Sequence, residues 1–344
     1  MRRGSSGLSF VIGVDKPAGP SSHDVVNRAR RVFDERRIGH TGTLDPLASG
    51  ALLLCVGPAT RLSPYLQAHD KRYRFTVVFG EATETDDAAG AVTERGAVPD
   101  EVCDLSFAQG FVSRLAGTHQ QVPPAYSAVK VGGERSYKAA RAGRPIGLKP
   151  REVTVFEARL LGLDGGGGGR LPSWDIAVHV SKGTYVRSLA RDIGQALGCP
   201  SHVGALRRTG VGAVTLDDCQ ELAALEQGRK PAVLDPAALL GYRVVEVPGD
   251  SLEAVRNGRA LPAGAVVAAL PPAPRGQGPP APGEGAEAGE GASLRQGGEA
   301  LPSLADGELV SAVTGAQLLG LFSYDAQARL LRPECVFSQG VDRG

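Results

Sequence analysis

What this chain of 344 residues lacks narrows its class before any motif is considered. No apolar run approaches the ~18 residues of a membrane span, and the first seven residues have no apolar core of the kind that marks a secretory leader. A soluble cytoplasmic protein is expected. Cysteine is scarce: Cys55, Cys103, Cys199, Cys219 and Cys335 are odd in number, far apart and without any C-x-x-C pair, so neither a disulfide framework nor a cysteine-based zinc site is indicated. Cys199 and His202 have ligand-like spacing, but no second pair accompanies them. The carboxylates of Glu81–Gly90 lack the regular spacing of a calcium loop. No internal repeat is present. The five glycines Gly165–Gly169 have no strand-to-helix phosphate cradle around them and read as a flexible hairpin connection.

What is present is a large apolar fraction and a segregated charge. With 42% hydrophobic residues the chain can bury a sizeable core, and its length suits two domains. The net charge of +1 conceals +6 over residues 1–75, −7 over 76–110, +9 over 111–210 and −7 over 211–344. Two basic segments that converge in space form a surface attractive to polyanions, and their arginine content favours phosphate contact over simple solvation.

Gly39–Gly50 is the stretch richest in functional groups: three glycines, hydroxyl side chains, His40 and Asp45, followed by the apolar run Ala51–Val56. Pro46 fixes its own φ and biases Asp45 away from helical geometry, so the carboxylate is presented on extended backbone. Taken alone, an Asx turn before a strand is the better account of an isolated Asp-Pro. Before it, residues 9–15 read as a strand, and Ser21 or Ser22 can cap a helix through about Asp34. Gly57–Leu62 begins another helix. Lys71–Gly80 alternates with period two, placing Tyr73, Phe75 and Val77 on one face, and Glu81–Gly90 reads as a loop. Ser136–Ala142 suggests a short basic helix, and strands follow at Val153–Leu161 and Trp174–Val180. Lys182–Leu189 is read as continuing the strand before a helix over Leu189–Leu197, which would put Tyr185 and Arg187 on one side. Residues 242–270 suggest short strands and turns. A Pro, Gly, Ala and Glu-rich insertion at 271–305 is expected to be disordered for want of large apolar side chains. Strands resume at Leu309–Val313, Leu318–Phe322 and Leu330–Phe337.

Five motifs in order, Asp15-Lys16-Pro17-x-Gly19, Gly39–Gly50, Lys71-Arg72-Tyr73, Tyr126-Ser127-Ala128-x-Lys130 and Lys182–Arg187, resemble those of the bacterial tRNA pseudouridine-55 synthases, the TruB family. The likeness runs from about residue 10 to 235, and the tail more weakly resembles a PUA module. It implies an α+β fold: a catalytic domain over 1–240 with a central, mostly antiparallel sheet flanked by helices and loops, then a small β-rich PUA-like RNA-binding domain over 241–340. It implies isomerisation of uridine 55 in the tRNA T-stem-loop by base extrusion, glycosidic cleavage and C–C bond formation, with no cofactor or metal. Among the residues, Asp45 matches the catalytic aspartate, Arg187 its partner and Tyr73 the ring that stacks on the target uracil. His40, Tyr185, Leu206, Asp87 and Lys16 match substrate-binding or pocket positions. A monomer without membrane or protein partner is expected. Two other readings are an RNA-folding protein for which catalysis is secondary and a guide-RNA-dependent synthase subunit; the compact Leu44–Gly50 loop and the lack of long basic tails favour the stand-alone enzyme.

Overall fold

Alternation along the first strand divides the molecule into its two cores. In the computed structural model, which describes residues 6–144, 146–266, 269–270 and 304–344, β1 (Phe10–Lys16) lies antiparallel to β3 (Ser49–Val56). Ile12, Val14, Leu52 and Leu54 point into the main core, where α1 (Ser22–Val32) lays Val25, Val26 and Ala29 against them. Val11 and its partner Cys55 point the other way, into a second apolar cluster.

The remaining elements follow in chain order. β2 (Ile38–His40) pairs with β3, and α2 (Ser63–Gln67) leads to β4 (Lys71–Phe79). The hairpin β5 (Glu81–Thr83) and β6 (Val92–Arg95) precedes α3 (Leu105–Ser113) and β7 (Gly117–Gln121). Then come β8 (Lys130–Val131), β9 (Glu134–Arg135), α4 (Ser136–Arg141), β10 (Arg151–Asp164), β11 (Ser173–Val180), α5 (Val186–Ala196) and β12 (Ser201–Val211). Short pieces close the first half: β13 (Val214–Thr215), β14 (Cys219–Glu221), α6 (Leu222–Glu226), β15 (Val233–Leu234) and α7 (Pro236–Leu240). The main sheet runs β14-β1-β3-β12-β4-β11-β10-β7, antiparallel except for β14 on β1 and β12 on β3. This is the expected α+β architecture with a mostly antiparallel centre.

A second sheet is built from β16 (Arg243–Glu246), β17 (Leu261–Pro262), β18 (Ala269–Leu270), β19 (Leu309–Thr314), β20 (Gln317–Asp325) and β21 (Leu330–Asp342), with α8 (Leu252–Arg256) beside it. It is seated on the first by the cluster around Val11 and Cys55, where Leu318, Leu321, Phe337 and Val341 meet Leu62, Leu66 and Leu240. Arg61 donates to the Val336 carbonyl at 2.6 Å and Arg343 pairs with Asp235 at 2.8 Å across the same seam. The Pro/Gly/Glu-rich insertion, apart from its last two positions, lies outside the described residues. Among the described residues no helix is long and apolar enough to cross a membrane.

Three sequence readings need correction. Lys182–Leu189 does not continue the strand: β11 stops at Val180, and Gly183 (φ +84°) with the Thr184 hydroxyl donating to the Ser181 carbonyl at 2.9 Å turns the chain into α5. The β-branched and aromatic run Thr184-Tyr185-Val186 imitates a strand, but Tyr185 is the N-cap and Arg187 lies in the first helical turn. Glu81–Thr83 is strand rather than loop, and residues 252–256 form a helix within the region read as strands and turns. Gly165–Gly169 joins β10 to β11 as the expected hairpin connection.

Candidate active site

Residues 41–48 form the loop between β2 and β3, and four separate attachments hold it. The Ser22 hydroxyl accepts the Leu44 N–H at 2.8 Å and donates to the Leu44 carbonyl at 2.9 Å. The Gly19 N–H donates to the Pro46 carbonyl at 2.8 Å. From below, Lys16 Nζ donates to the carbonyls of Pro17 (2.8 Å) and Pro20 (2.7 Å) and lies 3.5 Å from that of Pro46. Arg208 donates to the carbonyls of Ala51 (2.7 Å) and Gly42 (3.2 Å). Lys16 and Arg208 are both fully buried. Burial lowers the Lys16 ammonium to about 8, with Asp45 opposing the shift and Arg208 adding to it.

Strand register aligns these groups. Lys16 pairs with Gly50, Gly50 with Arg208, Arg208 with Tyr73 and Tyr73 with Val178, a row across five strands on one side of the sheet. Position 50 admits no side chain: its φ is +107°, and a Cβ there would sit 2.1 Å from the Arg208 carbonyl oxygen. One step along, Leu206 is buried opposite Phe75.

Asp45 faces α5. Its Oδ2 lies 2.9 Å from Arg187 Nε, an ion pair whose N–H is directed off the line to the oxygen. Arg187 is 5% exposed and its guanidinium is fixed by donation to the carbonyls of Thr85 (2.8 Å) and Tyr126 (2.9 Å). Asp87 Oδ2 stands 3.7 Å from the same Nε, while its Oδ1 accepts from the Thr85 hydroxyl (2.6 Å) and the Ala89 N–H (3.0 Å). Among the described residues no backbone N–H donates to the Asp45 carboxylate, so the Asx-turn reading does not hold. Burial pushes the Asp45 carboxyl above its ordinary value; Arg187 pulls it down and Asp87 adds to the rise. An ionisable carboxylate beside a fixed guanidinium, at the edge of a half-open site, is equipped to act as a nucleophile or base.

The other expected residues surround this pair. Tyr73 is half-buried against the core on β4. His40 ends β2 with its Nδ1 buried and without a protein partner, and burial, reinforced by Arg208 and His23, lowers its pKa, so the imidazole is neutral at pH 7. Tyr185 is tied to β7, its N–H donating to Gln121 Oε1 (2.8 Å) and its carbonyl accepting from Gln121 Nε2 (3.2 Å). The structure thus gathers Asp45, Arg187 and Asp87 into one charge cluster, with Lys16 beneath the loop and Tyr73 and Leu206 on adjoining strands.

Sequence reading missed Arg208, Ser22, Gln121, Thr85 and the Tyr126 carbonyl. Only the adjacent pair Arg207-Arg208, inside a stretch that also holds Val203, Leu206 and Val211, hinted that one of two arginines must point inward. Residues 122–150, which leave the sheet at Gln121 and rejoin it at that residue's own partner Arg151, carry six exposed cations: Lys130, Arg135, Lys138, Arg141, Arg144 and Lys149. Glu134 is the segment's one acid.

Residues 30–186 match the family model described as TruB family pseudouridylate synthase (N terminal domain), and residues 187–235 that of the tRNA pseudouridylate synthase B C-terminal domain. The tRNA pseudouridine synthase B of Mycobacterium sp. strain KMS is 43% identical over 256 residues, 74% of this chain and 85% of the relative. Its counterpart in Paenarthrobacter aurescens is 46% identical over 220 residues, covering 64% and 70%. In three dimensions, a chain of the archaeal box H/ACA sRNP Nop10-Cbf5 complex superposes with a TM-score of 0.63 at 22% identity, covering 97% of this chain and 86% of that one, a likeness of fold.

Proposed function

The chain belongs to the TruB family of pseudouridylate synthases, and from that premise we propose that it acts on tRNA, converting uridine 55 of the T-loop to pseudouridine. The observation that carries this reading is the Asp45–Arg187 pair: a carboxylate on a loop anchored from four directions, facing a guanidinium that two backbone carbonyls hold in place. The reaction breaks the bond from N1 of uracil to the sugar, turns the base and joins its C5 to the same sugar carbon. The proton lost from C5 balances the one gained at N1, so nothing is consumed.

A stacked base is out of reach of any side chain, so the uridine is extruded at a cost of a few kcal/mol. Tyr73 supplies the stacking face, worth roughly 1–3 kcal/mol, which about offsets extrusion. Phosphate contacts with the exposed cations of 122–150 supply the remainder. Asp45 engages the extruded nucleoside, and Arg187 favours its ionised form and fixes its direction. Leu206 and Tyr185 wall the pocket, Asp87 holds Arg187 in turn, and His40, neutral, fills the space the base vacates. Lys16 keeps the loop seated. In this reading residues 1–240 are the catalytic unit and 241–340 a second RNA-contacting unit.

The test is incubation of the purified protein with unmodified tRNA transcript and no guide RNA, followed by position-resolved mapping of pseudouridine. Product confined to position 55 is expected. Product elsewhere only, or none, refutes the reading.

A further inference from the structure

Arg151 opens β10 at the neck of the 122–150 excursion, paired across the strands with Gln121. Its guanidinium lies 4.6 Å from the centre of the Tyr185 ring, with Nη1 beside Gly183. The Nε and Nη2 atoms are buried and have no hydrogen-bond partner. These two are neighbouring donors of one edge, the fork that matches two oxygens of a phosphate or carboxylate. The other arginines around the site are spoken for: Arg187 by Asp45 and two carbonyls, Arg191 by Asp86, Arg207 by Asp15 and Arg208 by two carbonyls. A buried cation with an idle fork is costly, and the cost is removed when an anion reaches it.

Resting on the tRNA reading above, we propose that Arg151 is a clamp for one backbone phosphate of the substrate. Tyr185 covers one face of the guanidinium and leaves its edge for the RNA. Because the fork is buried, the phosphate reaches it only after its surroundings shift to admit it. One contact then ties the substrate backbone to the wall of the uridine pocket.

The experiment is a cycle between protein and RNA. A T-stem-loop oligonucleotide is made as a set, each member carrying one uncharged methylphosphonate linkage, and affinities are measured for the wild type, Arg151→Gln and Arg151→Lys. One linkage is expected to weaken wild-type binding about tenfold or more, and the same linkage should have no effect on Arg151→Gln. The salt dependence of that variant's binding to unmodified RNA should be shallower by about 0.7–0.9 in log–log slope, and Arg151→Lys should restore the slope without restoring the full affinity. Equal sensitivity of wild type and both variants to every linkage overturns the clamp. A merely structural role lowers affinity without singling out a linkage, and Arg151→Lys keeps the test open if Arg151→Gln does not fold. Wild type that binds the oligonucleotide without isomerising it refutes the functional reading alone, since the cycle is read from binding.

Discussion

Adjacent serines at the start of α1 differ in what their removal should cost. Ser21 is the N-cap: its hydroxyl accepts the Asp24 N–H at 3.2 Å while Asp24 takes the Ser21 N–H at 2.9 Å. Replacing such a cap by alanine costs about 1 kcal/mol. Ser22 is buried, and Ser22→Ala strands both the N–H and the carbonyl of Leu44, a residue itself 3% exposed. At about 1–3 kcal/mol per buried orphan, the loss is about 2–6 kcal/mol. It falls on the residue preceding Asp45, so the rate should fall with the stability. Urea denaturation at unchanged slope measures the first effect, and single-turnover conversion of a T-stem-loop the second. If Ser22→Ala loses no more stability than Ser21→Ala, the bond to Leu44 is not holding the loop and this account of its rigidity fails.

Asp45→Asn should form no pseudouridine while its tRNA affinity stays within about tenfold, or 1.4 kcal/mol; appreciable turnover removes Asp45 from the chemistry. Since burial holds that carboxyl above its ordinary value, activity should disappear as pH falls through the raised value. Arg187→Gln, which deletes the opposing attraction, should move this acidic limb of the pH–rate profile further up; an unmoved limb would falsify the electrostatic role. For stability the sign is opposite: the folded state favours protonated Asp45, a contribution present at low pH and lost as pH rises through the folded-state value. Gly50→Ala combines a strained φ with a backbone collision, about 2–6 kcal/mol together, and should yield little folded protein; a normal melting temperature contradicts the predicted contact with Arg208.

What the sequence disclosed was local. Period-two alternation found β4, a short apolar run found β1 and helical spacing found α1, and Asp45 lies outside any helix before Pro46, though the Asx turn favoured for the isolated loop is not formed. What it withheld depends on partners far along the chain. Thr184-Tyr185-Val186 has strand composition, and only the turn at Gly183 decides otherwise. Arg208 is hydrophilic by type yet buried, because carbonyls of residues 42 and 51 wait for it more than 150 positions away. Lys16 is hidden by nearer carbonyls, those of Pro17 and Pro20, beneath the loop that carries Pro46. Pairs of this kind carry no periodicity.

β12 has a consequence for how the protein is made. It slots between β3 and β4, which precede it by well over a hundred residues and are not paired with each other. Until it arrives, a nascent chain presents two unpaired strand edges, a hazard that chaperones exist to cover. The same late strand delivers the guanidinium that anchors the Asp45 loop. A partly synthesised or truncated chain ending before residue 201 therefore lacks both the closed sheet and the seated carboxylate. Closure of the main sheet and seating of the carboxylate loop are thus reached in one step.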